Sequence, residues 1–197
     1  MPGQYKFVII AILCCSCAFA QNTDLEHGKI EIRGFGGGIR AGNFHVSQPA
    51  FAAGVEAAIG LNRIVAVTGT YSFDRLYDRP DIFQQSRVVH EFMGGFRFSI
   101  PNHSRITPYG AVSGGGVVLV DTPEFFDQLI TASLSGPSFA SSSSTTHFAM
   151  AIGPGVNYRI NSHAGIAVDV RGVAISFGLN STPGWFLRTT GSFYYRF

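Results

Sequence analysis

The sequence predicts an all-β fold, an eight-stranded antiparallel up-and-down transmembrane β-barrel with short periplasmic turns and longer extracellular loops. Three observations predict it. Eight stretches of roughly 9 to 15 residues alternate apolar with polar side chains, near the length a tilted strand needs to cross a bilayer. The links between these stretches alternate between long and tight, which is the loop asymmetry of outer-membrane barrels. Charged residues make up 13% of the chain against a usual figure of about 25%, with 24 glycines and 18 phenylalanines in their place. The charge-poor chain has no apolar run of the roughly 20 residues a membrane helix requires, so its lipid-facing surface has to come from strands.

The chain begins with Lys6, a short apolar core from Phe7 to Leu13, and Ala18-Phe-Ala20 before Gln21. That order of charge, apolar core and small residues is a secretory signal peptide, expected over residues 1–20 and cleaved after Ala20. Cys14, Cys15 and Cys17 all lie inside it, so the exported chain is expected to hold no disulfide and no cysteine-based metal or redox site. Cleavage before a cysteine, as in a lipoprotein, is disfavoured because Cys14 stands three residues before Cys17, where a lipobox places an aliphatic residue. Removing 20 of 197 residues leaves 177, enough for one domain, with 13 basic residues against 12 acidic once Lys6 is gone. So even a balance recruits no nucleic acid. Residues 21–28 form a leader, and the barrel domain is expected over 29–197.

The first strand is expected over Lys29 to Ile39, where Ile30 and Ile32 alternate with Glu31 and Arg33 before the glycine-rich Gly34-Phe-Gly-Gly-Gly38. Glycines in a strand mark bends or close approach. A phosphate-binding loop is excluded because no Lys-Ser/Thr ending and no helical pattern follow. After a polar link (40–49), a second strand puts Val55, Ala57, Ile59 and Leu61 opposite Gly54, Glu56, Ala58 and Gly60. Asn62-Arg63 turns the chain into a third strand with Val65, Val67, Gly69, Tyr71 and Phe73 on one face and Ala66, Thr68, Thr70, Ser72 and Asp74 on the other. A longer link, 75–86, contains Pro80, which halts strand pairing.

The fourth strand (87–100) carries Phe92, Phe96, Phe98 and Ile100 against Glu91, Arg97 and Ser99. After the turn 101–105, the fifth (106–120) has Gly110, Gly114, Gly115 and Gly116, which blur its phase. The longest link, 121–147, is serine-rich and aperiodic. The sixth strand sets Phe148, Met150, Ile152, Val156, Tyr158 and Ile160 outward and Ala149, Ala151, Gly153, Gly155, Asn157 and Arg159 inward. Following the turn 161–163, the seventh shows Ile166, Val168 and Val170 against Asp169 and Arg171. Past the link 178–184, the closing strand alternates Trp185, Leu187, Thr189, Gly191, Phe193, Tyr195 and Phe197 with Arg188, Thr190, Ser192 and Arg196. Terminal residues ordinarily fray, so a terminal stretch this rich in outward aromatics fits a lipid surface better than water. It is expected to pair with the first strand.

With the apolar faces turned to lipid, the interior receives Arg33, Glu56, Glu91, Arg97, Asp169, Arg171, Arg188 and Arg196. Eight strands enclose a space that side chains fill, so these charges are expected to pair into a lumen network rather than line an open pore. Tyr71, Phe73 and Trp185 near the longer loops and Phe98 and Tyr158 near the tight turns are expected to form the two aromatic girdles.

These features resemble the small eight-stranded outer-membrane barrels, the OmpA transmembrane-domain and OmpX-like group of the outer-membrane β-barrel family. The resemblance rests on the signal peptide, Thr107-Pro-Tyr109-Gly, Gly153-Pro-Gly-Val-Asn-Tyr158 and the terminal Phe193-x-Tyr195-x-Phe197. It implies that Phe193, Tyr195 and Phe197 form the signal read by the barrel-assembly machinery. With no periplasmic peptidoglycan-binding domain expected after the barrel, the wall-anchoring role of longer relatives is not implied.

The expected role is therefore a monomeric structural or surface-interaction protein of the bacterial outer membrane, bathed in lipid and lipopolysaccharide, with no catalytic site, cofactor or metal. Residues 121–147 are the expected contact with an extracellular partner. A narrow porin is one alternative. A lipid-modifying enzyme is the other, needing a His with Ser and an acid at one membrane face. His147 with Ser144 and Glu124 or Asp127 supplies those residue types. His90 and Glu91 do not, since adjacent strand residues face opposite ways; His45, His103 and His163 fall in or beside links. A lipocalin-like ligand cavity is excluded by the many inward charges and outward aromatics.

Overall fold

The computed structural model describes residues 27–41, 50–77, 85–102, 104–123, 143–176 and 184–197. Residues 1–20, most of the leader and the central parts of the four longer connections lie outside the described residues. Eight strands run β1 (Ile30–Ala41), β2 (Ala50–Gly60), β3 (Val65–Tyr77), β4 (Gln85–Ser99), β5 (Ile106–Pro123), β6 (Ser143–Arg159), β7 (Ala164–Ser176) and β8 (Gly184–Arg196). Each is antiparallel to its neighbours in sequence, and β8 pairs with β1 to close the barrel.

Closure has a definite stagger. Stepping across paired residues from Glu31 through Ala58, Thr68, Gly95, Ser113, Ala151, Val173 and Phe186 returns to β1 at Ala41, ten residues further on. Eight strands with that stagger tilt by about 40° and enclose a backbone cylinder roughly 16 Å across, a width that side chains fill. At the seam the Phe197 N–H donates to the Ile30 carbonyl at 2.9 Å, and on the β7 side of β8 the Arg196 N–H donates to the His163 carbonyl at 2.7 Å.

Two tight turns are built alike around asparagine. The Asn62 Oδ1 accepts from the Ile64 and Val65 N–H groups at 2.8 Å, and the Asn161 Oδ1 accepts from those of His163 and Ala164 at 2.8 Å. This side-chain mimicry of a backbone turn is the reason asparagine is favoured there. The third turn uses Asn102, whose Oδ1 accepts from the Ser104 N–H at 3.1 Å. These turns and both ends of the described barrel, Ile30 and Phe197, share one rim, the turn end. The longer connections leave from the other, the loop end.

Period-two alternation sorts every strand into an exposed apolar face and a buried one. Along β8 the pattern is unbroken, with odd residues from Trp185 to Phe197 exposed and even residues from Gly184 to Arg196 buried. The outer surface is apolar, as Ile32, Val55, Phe96, Ile152, Val168 and Phe193 illustrate. Among the described residues no helix is long and apolar enough to cross a membrane.

The structure corrects several limits set from sequence. β5 continues to Pro123 and β6 begins at Ser143, so eight residues of the link expected at 121–147 are strand. Likewise β1 reaches Ala41, β3 Tyr77, and β4 starts at Gln85, shortening the links expected at 40–49 and 75–86; Gly184 opens β8. The physical reason is common to all. Above the lipid both faces of a strand meet polar surroundings, so the alternation fades while the antiparallel ladder continues. The phase of β5 is also resolved: Thr107, Tyr109, Ser113, Val117 and Leu119 face inward.

Candidate functional site

The lumen is the most highly organised part of the molecule. Among the described residues, the buried charged side chains are five carboxylates, Glu31, Glu56, Asp74, Glu91 and Asp169, and five guanidiniums, Arg33, Arg97, Arg171, Arg188 and Arg196. No lysine joins them. The planar, multidonor guanidinium satisfies several acceptors at once, which a buried ammonium cannot do in fixed geometry.

Toward the turn end, Glu31 gathers three cations. Its Oε1 accepts from Arg97 Nη1 at 2.7 Å and Arg33 Nη2 at 3.0 Å, and its Oε2 from Arg196 Nε at 2.8 Å. Arg33 also donates to Asn157 Oδ1 at 2.9 Å and Tyr109 Oη at 2.7 Å, and its guanidinium carbon lies 5.3 Å and 5.6 Å from the ring centroids of Tyr109 and Tyr194. One step toward the loops, Glu56 accepts from Arg171 Nη2 at 2.8 Å and Thr70 Oγ1 at 3.3 Å, while Asp169 pairs with Arg171 Nε at 3.0 Å and accepts from Tyr109 Oη at 3.3 Å.

A second cluster sits nearer the loop end. Arg188 Nη1 lies 3.0 Å from Asp74 Oδ2, 2.8 Å from Glu91 Oε2 and 2.8 Å from Ser72 Oγ, and Ser72 itself donates to Glu91 at 2.8 Å. Its guanidinium also lies over the Phe35 ring, 5.8 Å from the centroid. An apolar cluster that includes Ile39, Val89, Val117, Leu119, Ile175 and Phe186 packs the loop-end half of the lumen. Two glycines make the turn-end layer possible. A Cβ on Gly155 would strike the Tyr109 ring, and one on Gly165 would strike the Tyr194 ring.

All eight residues expected inside are therefore buried, and they do not form one network: Glu91 and Arg188 belong to the loop-side cluster, and the other six to the turn-side one. Four participants were missed. Glu31 and Asp74 stand on inward faces of β1 and β3 and were readable from parity. Tyr194 shares the inward parity of Ser192 and Arg196 on β8, whereas Tyr109 was not readable because glycines blur the phase of β5.

On the outside, Tyr71 and Phe73 are half-buried against one another's neighbours: Tyr71 Oη lies 3.0 Å from His90 Nδ1, and Phe73 meets the His90 ring edge-on at 5.5 Å. Phe98 packs with Phe96 at 6.4 Å. Tyr158 is exposed close to the turn end and Trp185 at the loop-end start of β8. Phe193 is exposed; Tyr195 packs edge-on against Phe197 at 5.0 Å and stacks on His163 at 6.1 Å.

Among the described residues, those that could supply hydrolytic chemistry are kept apart. Ser144 and His147 both lie on β6, three positions apart and therefore on opposite faces. His147 Nε2 lies 3.1 Å from Thr145 Oγ1. Glu124 and Asp127 fall outside the described residues. His90 and Glu91 also part, the former to the outer face and the latter to the lumen. Among the described residues no group of three His, Cys, Asp or Glu side chains is placed to hold a metal.

A model of the outer membrane protein beta-barrel domain matches residues 7–197. The chain belongs to this family. It is thus an outer-membrane barrel of bacterial type. Solved structures with similar folds include Neisserial surface protein A, at 15% identity and a TM-score of 0.57, covering 86% of this chain and 98% of that one. The N-terminal barrel domain of OprF from Pseudomonas aeruginosa is similar at 13% identity and 0.53, covering 87% and 98%. Ail, the attachment invasion locus protein of Yersinia pestis, is similar at 16% identity and 0.52, covering 87% and 99%. No curated protein matches the sequence.

Proposed function

We propose that this outer-membrane barrel is a non-enzymatic scaffold that holds its longer loops at the cell surface, where they contact an extracellular partner. The observation that carries the reading is the packed lumen, where among the described residues ten buried charged side chains and an apolar cluster face the barrel interior. A lumen so packed suits a rigid platform better than a passage. Platforms of this kind leave specificity to the loops they position, here above all the connection between β5 and β6.

Several further assignments belong to the same reading. Residues 1–20 direct export and are removed after Ala20, and the barrel works as a monomer amid lipid and lipopolysaccharide. Tyr71, Phe73 and Trp185 anchor it at the loop-side interface and Phe98 and Tyr158 at the turn-side one. The stripe of Phe193, Tyr195 and Phe197 is the signal for the barrel-assembly machinery. Deleting residues 125–141, which leaves β5 and β6 intact, tests the central point. The deleted protein is expected to keep its heat-modifiable migration in gels and to lose adhesion of expressing cells to host cells or matrix. Adhesion unchanged by the deletion would refute the role of this loop.

A further inference from the structure

We propose that the outer wall of the barrel carries a lipid-phosphate site at its loop end, built by His90 of β4 and Arg75 of β3, and that its occupant is the phosphoryl group of a lipopolysaccharide molecule. The site rests on the reading that the loop end faces the outer leaflet.

A histidine on a lipid-facing wall needs a reason, because an ionisable side chain is costly in hydrocarbon. His90 shares the outward face of β4 with the exposed Phe92, Phe96 and Phe98. It is half-buried, with Tyr71 Oη 3.0 Å from its Nδ1 and the Phe73 ring edge-on at 5.5 Å. Its other ring nitrogen, Nε2, makes no hydrogen bond among the described residues. A neutral ring that accepts from Tyr71 carries its proton on Nε2, and a protonated ring carries one there too. In both forms an N–H is left to donate.

Register sets the depth of this pair. A strand tilted by about 40° climbs roughly 2.6 Å per residue. His90 therefore stands roughly 21 Å above Phe98 on the same strand, close to the upper edge of an apolar band about 25 Å tall. Arg75 lies opposite Val88, and Phe73 opposite His90, so Arg75 is the diagonal neighbour of His90 at about 7–8 Å, one step nearer the loops. That step lifts it to the level of the headgroups, and Arg75 is exposed. A guanidinium has five N–H donors, so a bond made elsewhere leaves others for a phosphate. Arginine and an imidazole N–H at this spacing suit the oxygens of one phosphoryl group. Below them the rings are contiguous, with Phe51 6.2 Å from Phe73 and Tyr71 5.0 Å from Phe92, an apolar ledge for the acyl chains of the same lipid.

Charge on the wall is of one sign. Among the described residues every Asp and Glu side chain is buried in the lumen, whereas the loop-side half of the outer face carries Arg40, Arg75 and His90. An anion meets no opposing carboxylate there.

Native mass spectrometry of the refolded barrel in maltoside detergent with rising diphosphoryl lipid A, and EDTA to remove bridging divalent cations, reads the bound fraction directly. Saturable binding is expected, needing about tenfold more lipid A in the double variant Arg75→Gln/His90→Leu. Arg63→Gln, which removes an exposed cation at the turn end, should bind as the unaltered protein does. Tyr71→Phe keeps the ring and removes only the hydroxyl beside Nδ1, and should fall between the two. Heat-modifiable migration confirms that each variant is folded. Lipid A stripped of its phosphates should bind the unaltered barrel as weakly as intact lipid A binds the double variant. Phosphatidylglycerol that binds as tightly, and is lost in the same variants, would overturn lipopolysaccharide as the occupant. Lipid A binding that the double variant keeps, or that does not depend on the phosphates, overturns the site. Because lipid is offered in micelles, the outcome is independent of which way the barrel faces and of adhesion through the loops, which the loop deletion tests separately.

Discussion

Arg188 is the clearest place to test how the lumen is held together. Its Nη1 lies within 3.0 Å of Asp74, Glu91 and Ser72, and all four side chains are buried. Arg188→Met keeps an unbranched apolar stem and removes the guanidinium with its charge, leaving two carboxylates facing each other in the loop-side cluster. Removing one partner of a buried ion pair costs about 3–5 kcal/mol, against roughly 5–15 kcal/mol of total stability. That corresponds to between two and four powers of ten in the folding equilibrium. The pair itself contributes little beyond an apolar replacement, so the cost comes from the stranded carboxylates. Adding Asp74→Asn and Glu91→Gln to Arg188→Met is therefore expected to recover all but about 1–2 kcal/mol. Urea-driven unfolding from lipid vesicles, followed by the fluorescence of Trp185, the sole tryptophan, measures both variants. The reasoning fails if Arg188→Met loses less than about 1 kcal/mol, or if the triple variant is no more stable than the single one.

Gly155→Val should cost about 1–3 kcal/mol by driving the new side chain into the Tyr109 ring, whereas Gly110→Ala, where an added Cβ meets nothing within 4 Å, should be neutral or stabilise by up to about 1 kcal/mol in the same unfolding assay. Phe197→Ala is expected to slow insertion in a reconstituted assembly reaction while leaving the unfolding midpoint of the inserted protein nearly unchanged; equal insertion rates would remove the assembly role. Trp185 fluorescence should be quenched most strongly by lipids brominated close to the headgroup, and strongest quenching from the acyl-chain ends would contradict an interfacial position.

Much of the barrel was legible because a strand between lipid and a packed lumen must alternate without exception. β8 shows this from Trp185 to Arg196, and β3 from Val65 to Asp74, where every side chain's face follows from parity. Parity lost its force in two settings. In β5, glycines at 110, 114, 115 and 116 and valines on both faces removed the contrast. At the loop end, polar surroundings on both sides hid the continuation of β5 and β6 to Pro123 and Ser143. The division of the lumen into two clusters was illegible for a different reason: which charges meet depends on the ten-residue stagger of the closed sheet, so Arg171 on β7 reaches Glu56 on β2 across the barrel. The stacking of Arg33 on the rings of Tyr109 and Tyr194 was illegible for the same reason, since it brings together β1, β5 and β8.

Planar-bilayer recording of the purified barrel tests the filled lumen most directly. A lumen closed by its two ion-pair clusters and the apolar cluster above them should give no steady unitary current across the membrane, and Arg188→Met should not create one of regular size. Reproducible unitary steps from the unaltered protein, changed in amplitude by substitutions at Arg97 or Arg188, would contradict it.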